Sequence, residues 1–135
     1  TYEMRRDHYE TAKINLREDR FPNIVLIYGD LLEEDPEKLG KFNLITLDLP
    51  EPLAAVEHLL PCLNHGCWVF IYLTYMNHLS TIVSRLRSLG FGEVLALEPY
   101  IREIEVDEKG FRPSTYLTGH SRVLIFARYG SLRHR

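Results

Sequence analysis

Three acidic residues stand at the ends of three strand-like runs. Glu3 closes TYE, Asp30 closes NIVLIYGD, and Asp48 closes LITLD. In an open α/β sheet the ligand lies in the crevice beyond the carboxyl ends of the strands, so acids delivered there sit where chemistry happens. One such acid can accept from ribose hydroxyls, and a second, one strand later, from the exocyclic amine of an adenine. The third, Asp48, is followed by the rigid Pro50-Glu51-Pro52 and can meet a second substrate. For any single acid the competing reading is a helix cap. Threefold repetition of the device favours an adenosine-bearing cofactor laid across strand ends.

The surrounding elements must hold these acids in place. Asp7-x-x-Glu10 resembles a capping box, and Tyr9, Ala12 and Leu16 follow at helical spacing, which predicts a helix ending near Arg20. Ile24–Tyr28 reads as a strand, Gly29-Asp30 as a turn, and Glu33–Lys38 as a solvated loop or helical turn. Phe42–Leu47 reads as the next strand, its Leu44–Leu47 apolar enough for burial on both faces. Leu53–Leu60 is a short helix closed by Pro61, and the turn Asn64-His65-Gly66 leads to a strand over Cys67–Leu73. Leu79, Ile82, Val83, Leu86 and Leu89 make a one-sided stripe stopped by Gly90. Strands are expected at Glu93–Leu97 and Ile101–Val106, a turn at 107–110, and a last strand at Arg122–Tyr129. Helices alternating with strands predict an α/β fold with a mainly parallel sheet and a C-terminal antiparallel hairpin.

The 135 residues are of one-domain length, and 45% hydrophobic with 26% charged residues is the ordinary balance of a globular protein. With a net charge of −3, no global positive field advertises nucleic acid. RNA binding would need local patches, for which Arg5 with Arg6, Arg85 with Arg87, and the tail Arg128, Arg133, His134 and Arg135 are candidates. Arg102 can contact phosphate or pair with Glu103 or Glu105, and the ion pair is favoured. Cys62 and Cys67 read as free semi-buried thiols, with no second pair to complete a zinc site; that usage fits a cytoplasmic location. No metal is expected, and the longest apolar run, Trp68–Leu73, is too short to span a bilayer. Beginning at Thr1 inside strand-like sequence, the chain is expected to be part of a longer polypeptide.

The order TYE-x-R-x-D-H-x-x-x-A-x-x-N-L, GD, LDLPEP, L-N-H-G, RP and GHSRVLIFAR resembles the tRNA adenine-N1 methyltransferases of the TrmI type and their eukaryotic counterparts. The resemblance covers essentially all 135 residues, as the C-terminal part of that family's catalytic domain. It implies a Rossmann-like class I methyltransferase sheet of order 3-2-1-4-5-7-6, entered here at the end of strand two, so that strand one and the glycine-rich loop are absent from these residues. It implies S-adenosyl-L-methionine as cofactor, with Glu3 on its ribose, Asp30 near its adenine, and Asp48 both beside it and acting as the catalytic acid. Tyr72, Arg112 and His120 are implied at the target pocket, tRNA as substrate, and a homotetramer or pairing with a homologous subunit. An interrupted sheet is then expected, either as a gap between Ile24–Tyr28 and Phe42–Leu47 or as a rearranged pairing of the two.

Several positions depart from the family pattern. Leu53 replaces an aromatic, Gly66-Cys67 a Gly-Gly, His78 a glutamine and Thr74 a proline. The rival readings are a catalytically silent tRNA-binding homologue, a class I methyltransferase acting on another substrate, and a nicotinamide dehydrogenase. The run of three acids argues against the first, and the RP…GHS ending against the second.

Overall fold

A computed structural model describes residues 1–17, 20–100, 102–108, 110–115 and 122–130. They fall into two compact units, one of Thr1–Lys41 with Ala54–Cys62, the other of Phe42–Leu53 with Leu63–Arg135.

In the first unit, β1 (Tyr2–Glu3) and β2 (Ile27–Tyr28) form a two-stranded parallel sheet with Glu3 opposite Tyr28. The strand expected from Ile24 is observed over Ile27–Tyr28 alone, the residues paired with Tyr2 and Glu3: Ile27 N–H donates to Thr1 O at 2.9 Å and Gly29 N–H to Glu3 O at 3.1 Å. Helix α1 (Arg6–Asn15) begins before the predicted capping box. Arg5 is its N-cap and no side chain caps it. Asp7 lies in the first turn, where its charge suits the helix dipole but makes no cap. The helix also stops at Asn15, short of Arg20, because Leu16 leaves helical geometry at φ −101°, ψ 40°. The acidic stretch forms a 3-10 turn (Leu31–Glu33) and the short α2 (Pro36–Leu39). Helix α3 (Pro52–Leu59) continues into a 3-10 turn (Leu60–Cys62), and Ala55, Val56, Leu59 and Cys62 are buried. Cys62 Sγ donates to Pro36 O at 3.1 Å, and Lys41 Nζ to Pro61 O at 2.6 Å.

The second unit is built on a four-stranded sheet of order β3-β4-β8-β5. It comprises β3 (Phe42–Leu47), β4 (Leu63–Leu73), β5 (Phe91–Leu97) and β8 (Val123–Tyr129). β3 pairs with β4 in parallel, and β8 runs antiparallel between β4 and β5. That is the 4-5-7-6 portion of the expected order, while β1 and β2 give the 3-2 portion. No strand pairing joins the two among the described residues. The turn expected at Asn64–Gly66 is instead a bulge inside β4. Phe42 pairs with Leu63 but Leu44 with Trp68, and Gly66 supplies the positive φ of 84° that the bulge needs. Helix α4 (Leu79–Ser88) buries Ile82 and Leu86 and ends at Gly90, whose φ is 97°. Between β5 and β8 the chain makes an antiparallel hairpin, β6 (Ile104–Asp107) with β7 (Gly110–Pro113).

Burial alternates along the central strands. Cys67, Val69, Ile71, Val123, Ile125 and Ala127 are fully buried on one face. Trp68, Phe70 and Phe126 are only half-buried on the other, where Leu44 and Leu95 are exposed. Burial of Leu44–Leu47 on both faces is therefore not observed. Leu47 alone is buried, because β3 is an edge strand with its second face open among the described residues. Trp68 is the single tryptophan, so its emission reads that open face. The purified 135-residue chain is expected to emit to the red of a buried indole and to take up an apolar dye; blue-shifted emission without dye uptake would contradict the open face.

Candidate active site

In the first unit Glu3 ends β1 and Asp30 follows β2 by two residues, both at the carboxyl ends of two adjacent parallel strands. Glu3 is held by its sequence neighbours. Its Oε1 accepts from the backbone N–H of Arg5 at 2.8 Å, with Arg5 Nε at 3.7 Å and His8 Nδ1 3.9 Å from Oε2. Arg5 Nη2 lies 2.6 Å from His8 Nδ1. A guanidinium only donates, so Nδ1 is the acceptor of that contact. Asp30 does what the competing reading foresaw: Oδ1 accepts from Leu32 N–H at 2.9 Å and caps the 3-10 turn. Each carboxylate is thus oriented through one oxygen, and the other oxygen is available to donors such as ribose hydroxyls or an adenine amine. These acceptors suit the hydroxyl and amine donors of an adenosine.

Asp48 and Tyr72 come together in the second unit. The last β3–β4 pair is Leu47 with Ile71, and the next residues along the two chains are Asp48 and Tyr72. Asp48 is exposed, and its carboxylate makes no hydrogen bond or ion pair with the described residues. It does not act as a cap here. Tyr72 is 38% exposed and is not a core residue. The Arg122 guanidinium stacks over its ring at 5.8 Å from the centroid, a contact the sequence reading did not anticipate.

Arg112 lies elsewhere, on β7, where it grips Glu105 of β6 through Nε at 2.8 Å and Nη2 at 2.7 Å. Arg102 takes neither predicted acid. Its Nε donates to Ser114 O at 2.9 Å, because the hairpin register sets Glu105 opposite Arg112 instead. His120 falls outside the described residues. Both cysteines are free and buried. Burial pushes each thiol above its ordinary pKa, for Cys62 against a smaller opposing pull from the Lys41 ammonium. Among the described residues no three His, Cys, Asp or Glu side chains are grouped to hold a metal ion, and no helix is long and apolar enough to cross a membrane.

No protein-family model matches the chain. It is 37% identical over 112 residues, 82% of its length, to the tRNA (adenine(57)-N(1)/adenine(58)-N(1))-methyltransferase TrmI of Methanocaldococcus jannaschii. In sequence the chain is similar to the TrmI-type methyltransferases. Its fold also matches an S-adenosylmethionine-dependent O-methyltransferase of Thermotoga maritima, with a TM-score of 0.84 over 100% of this chain at 21% identity. TrmI of Aquifex aeolicus superposes with a TM-score of 0.80 over 95% of the chain at 22% identity. The fold is that of the class I methyltransferases. The chain spans 39% of the Methanocaldococcus TrmI and 51% of each of these two solved chains.

Within this TrmI-like chain, Arg5 and His8 were visible as the R and H of TYE-x-R-x-D-H, but nothing in the spacing said that Arg5 would hold Glu3 and meet His8. Arg122 was legible only as a strand-start residue. The contrast between capping and free acids has a measurable consequence. Asp30→Ala is expected to lower stability by about 1 kcal/mol through the lost cap. Asp48→Ala should stay within about 0.5 kcal/mol, as for a surface change that breaks nothing. Urea denaturation of the two variants separates them; equal losses would restore Asp48 as a cap.

Proposed function

We propose that these residues form the C-terminal part of the catalytic domain of an S-adenosyl-L-methionine-dependent methyltransferase acting on N1 of an adenine in the T-loop of tRNA. The observation that carries the reading is the 37% identity to a TrmI, together with an uncapped, exposed acid at the carboxyl end of β3. Glu3 binds the ribose of the cofactor and Asp30 meets its adenine, each through the oxygen its local clasp leaves available. The bound cofactor supplies an electrophilic methyl group carried on a sulfonium.

Asp48 does the chemistry on the base. Adenine N1 is a modest nucleophile, and methylation leaves the base cationic. A carboxylate accepting from the N6 amino group raises the electron density at N1 and can take the proton afterwards. A positioned base of this kind supplies on the order of 10²–10⁴ in rate, and alignment of N1 with the methyl group supplies much of the rest. The adenine must leave its stack to reach the acid. Tyr72, with Arg122 on its ring, offers a face for a base, while Arg112 and His120 serve the target pocket. Such an enzyme works in the cytoplasm as an assembly of several subunits, since a net charge of −3 leaves tRNA binding to local arginine clusters.

Incubating the complete enzyme of which these residues are part with unmodified tRNA and labelled S-adenosylmethionine is expected to yield N1-methyladenosine in the T-loop, whereas these 135 residues alone are expected to be inactive. Label on guanine, on cytosine or on protein alone would refute the substrate. Asp48→Ala should lower turnover by at least about 10²-fold while cofactor affinity holds. Near-normal turnover would remove its catalytic role, and a wild-type protein that binds tRNA without methylating it would favour the silent homologue. Glu3→Ala should do the reverse and weaken S-adenosylmethionine binding first; an unchanged affinity by calorimetry would sink that assignment.

A further inference from the structure

Asp48, Tyr72 and Arg122 form a row across three neighbouring strands of the second unit. The parallel register that pairs Leu47 with Ile71 sets Asp48 beside Tyr72. The antiparallel register pairs Tyr72 with Leu124, and Arg122, two residues before Leu124, falls on the same side of the sheet. Because β4 lies between β3 and β8, acid and cation approach Tyr72 from strands about 10 Å apart, two strand spacings. The Arg122 guanidinium is the member without a settled partner. It lies over the Tyr72 ring at 5.8 Å from the centroid, a contact that engages its charge but gives none of its N–H donors an oxygen. Among the described residues it has no other partner, whereas Arg5, Arg102 and Arg112 each meet an oxygen. Arg122 is also half-buried. A guanidinium that has lost part of its hydration while its donors lack acceptors favours an anion.

We propose that Arg122 holds a phosphate of the RNA backbone, the 5′ phosphate of the adenosine whose base meets Asp48. The inference rests on the adenine-methylating reading above and adds to it the contact that fixes the target nucleotide from its other end. An adenylate carries a donor, the N6 amine, at one end and an anion at the other. The row offers the matching pair in the same order, a carboxylate on β3 and a guanidinium beside β8. Tyr72 stands between them, with one side of its ring under the guanidinium and the other left to the base. The cofactor fits the row less well, because the ammonium and carboxylate of its amino-acid end share one carbon and do not span two strands. The planar fork of an arginine suits two oxygens of a phosphate. A base that has left its stack has lost the contacts that oriented it, and holding it at both ends restores the alignment of N1 on which the rate depends.

Filter binding of unmodified tRNA to the complete enzyme, over a series of salt concentrations, tests this. Arg122→Ala is expected to weaken binding at least about tenfold at low salt. It should also flatten the slope of log affinity against log salt by about 0.7–0.9, the share of one phosphate. Arg122→Lys keeps the charge and should keep the slope. A tRNA assembled with an uncharged methylphosphonate at the 5′ phosphate of the target adenosine needs no variant to fold. Wild-type enzyme should lose affinity for it by the same factor, and Arg122→Ala should lose nothing further. Unchanged affinity and slope in Arg122→Ala would overturn the proposal, as would a full additional loss from the methylphosphonate in that variant. Weaker binding of S-adenosylmethionine to Arg122→Ala without RNA, by calorimetry, would give the guanidinium to the cofactor and overturn it. A lower kcat with tRNA affinity and slope intact would leave Arg122 a support for the Tyr72 ring and overturn it too. A wild-type enzyme that binds tRNA without methylating it, with the slope still lost in Arg122→Ala, would refute the methyl-transfer reading and sustain the phosphate contact. A wild-type enzyme without affinity for tRNA would refute both.

Discussion

Backbone hydrogen bonding along β4 holds the second unit together. It is the one strand there with a parallel neighbour on one side and an antiparallel neighbour on the other: β3 pairs from Leu44 to Leu47, and β8 from Val123 to Arg128. Satisfying both edges commits its side chains to strict alternation, so Val69 and Ile71 are sealed while Trp68, Phe70 and Tyr72 fall on the opposite face. Aromatic contacts follow from the same register. Phe70 and Phe126 are cross-strand partners, and their rings meet edge to face at 4.6 Å. Asp48 beside Tyr72 is the next step of the parallel β3–β4 pairing beyond its last bonded pair.

The three acids that stand out in the sequence do not behave alike. Glu3 and Asp30 are tied to amides two residues ahead, Arg5 and Leu32, short local bonds that fix each carboxylate without distant packing. Asp48 has no such tie. The two residues after it include Pro50, which has no N–H to donate, and the chain bends at Leu49 and Pro50 before α3 begins at Pro52. A proline-rich exit from a strand thus keeps an acid uncapped, whereas an exit of ordinary residues captures it. That difference leaves Asp48 accessible while Glu3 and Asp30 are each fixed through one oxygen.

The hairpin shows the same division between local pattern and register. Its sequence offers Arg102, Glu103, Glu105 and Arg112 as possible ion pairs, and spacing along the chain does not choose among them. The antiparallel pairing chooses Glu105 with Arg112 by setting them directly opposite, and it sends Arg102 to the Ser114 carbonyl. The same pairing gathers Ile104, Val106, Phe111 and Pro113 on one side, although they lie up to nine positions apart in sequence.

The sequence by itself determined the kinds of element and the residues at their ends. Phe42–Leu47 and the stripe from Leu79 to Leu86 are strand and helix by periodicity, and the acids after each strand follow from local chain direction. The resemblance to TrmI-type enzymes was legible in motifs such as LDLPEP, since motif order survives without any knowledge of packing. Tertiary structure alone decided the rest. It confined the strand expected over Ile24–Tyr28 to Ile27–Tyr28, the residues paired with Tyr2 and Glu3, and it turned Asn64–Gly66 from a turn into a bulge by extending β4 beside Phe42. It also left Leu44 exposed although its composition suits a buried strand. In each case the deciding quantity is which backbone lies alongside, and hydrogen bonds between distant segments are invisible to the periodicity of either one.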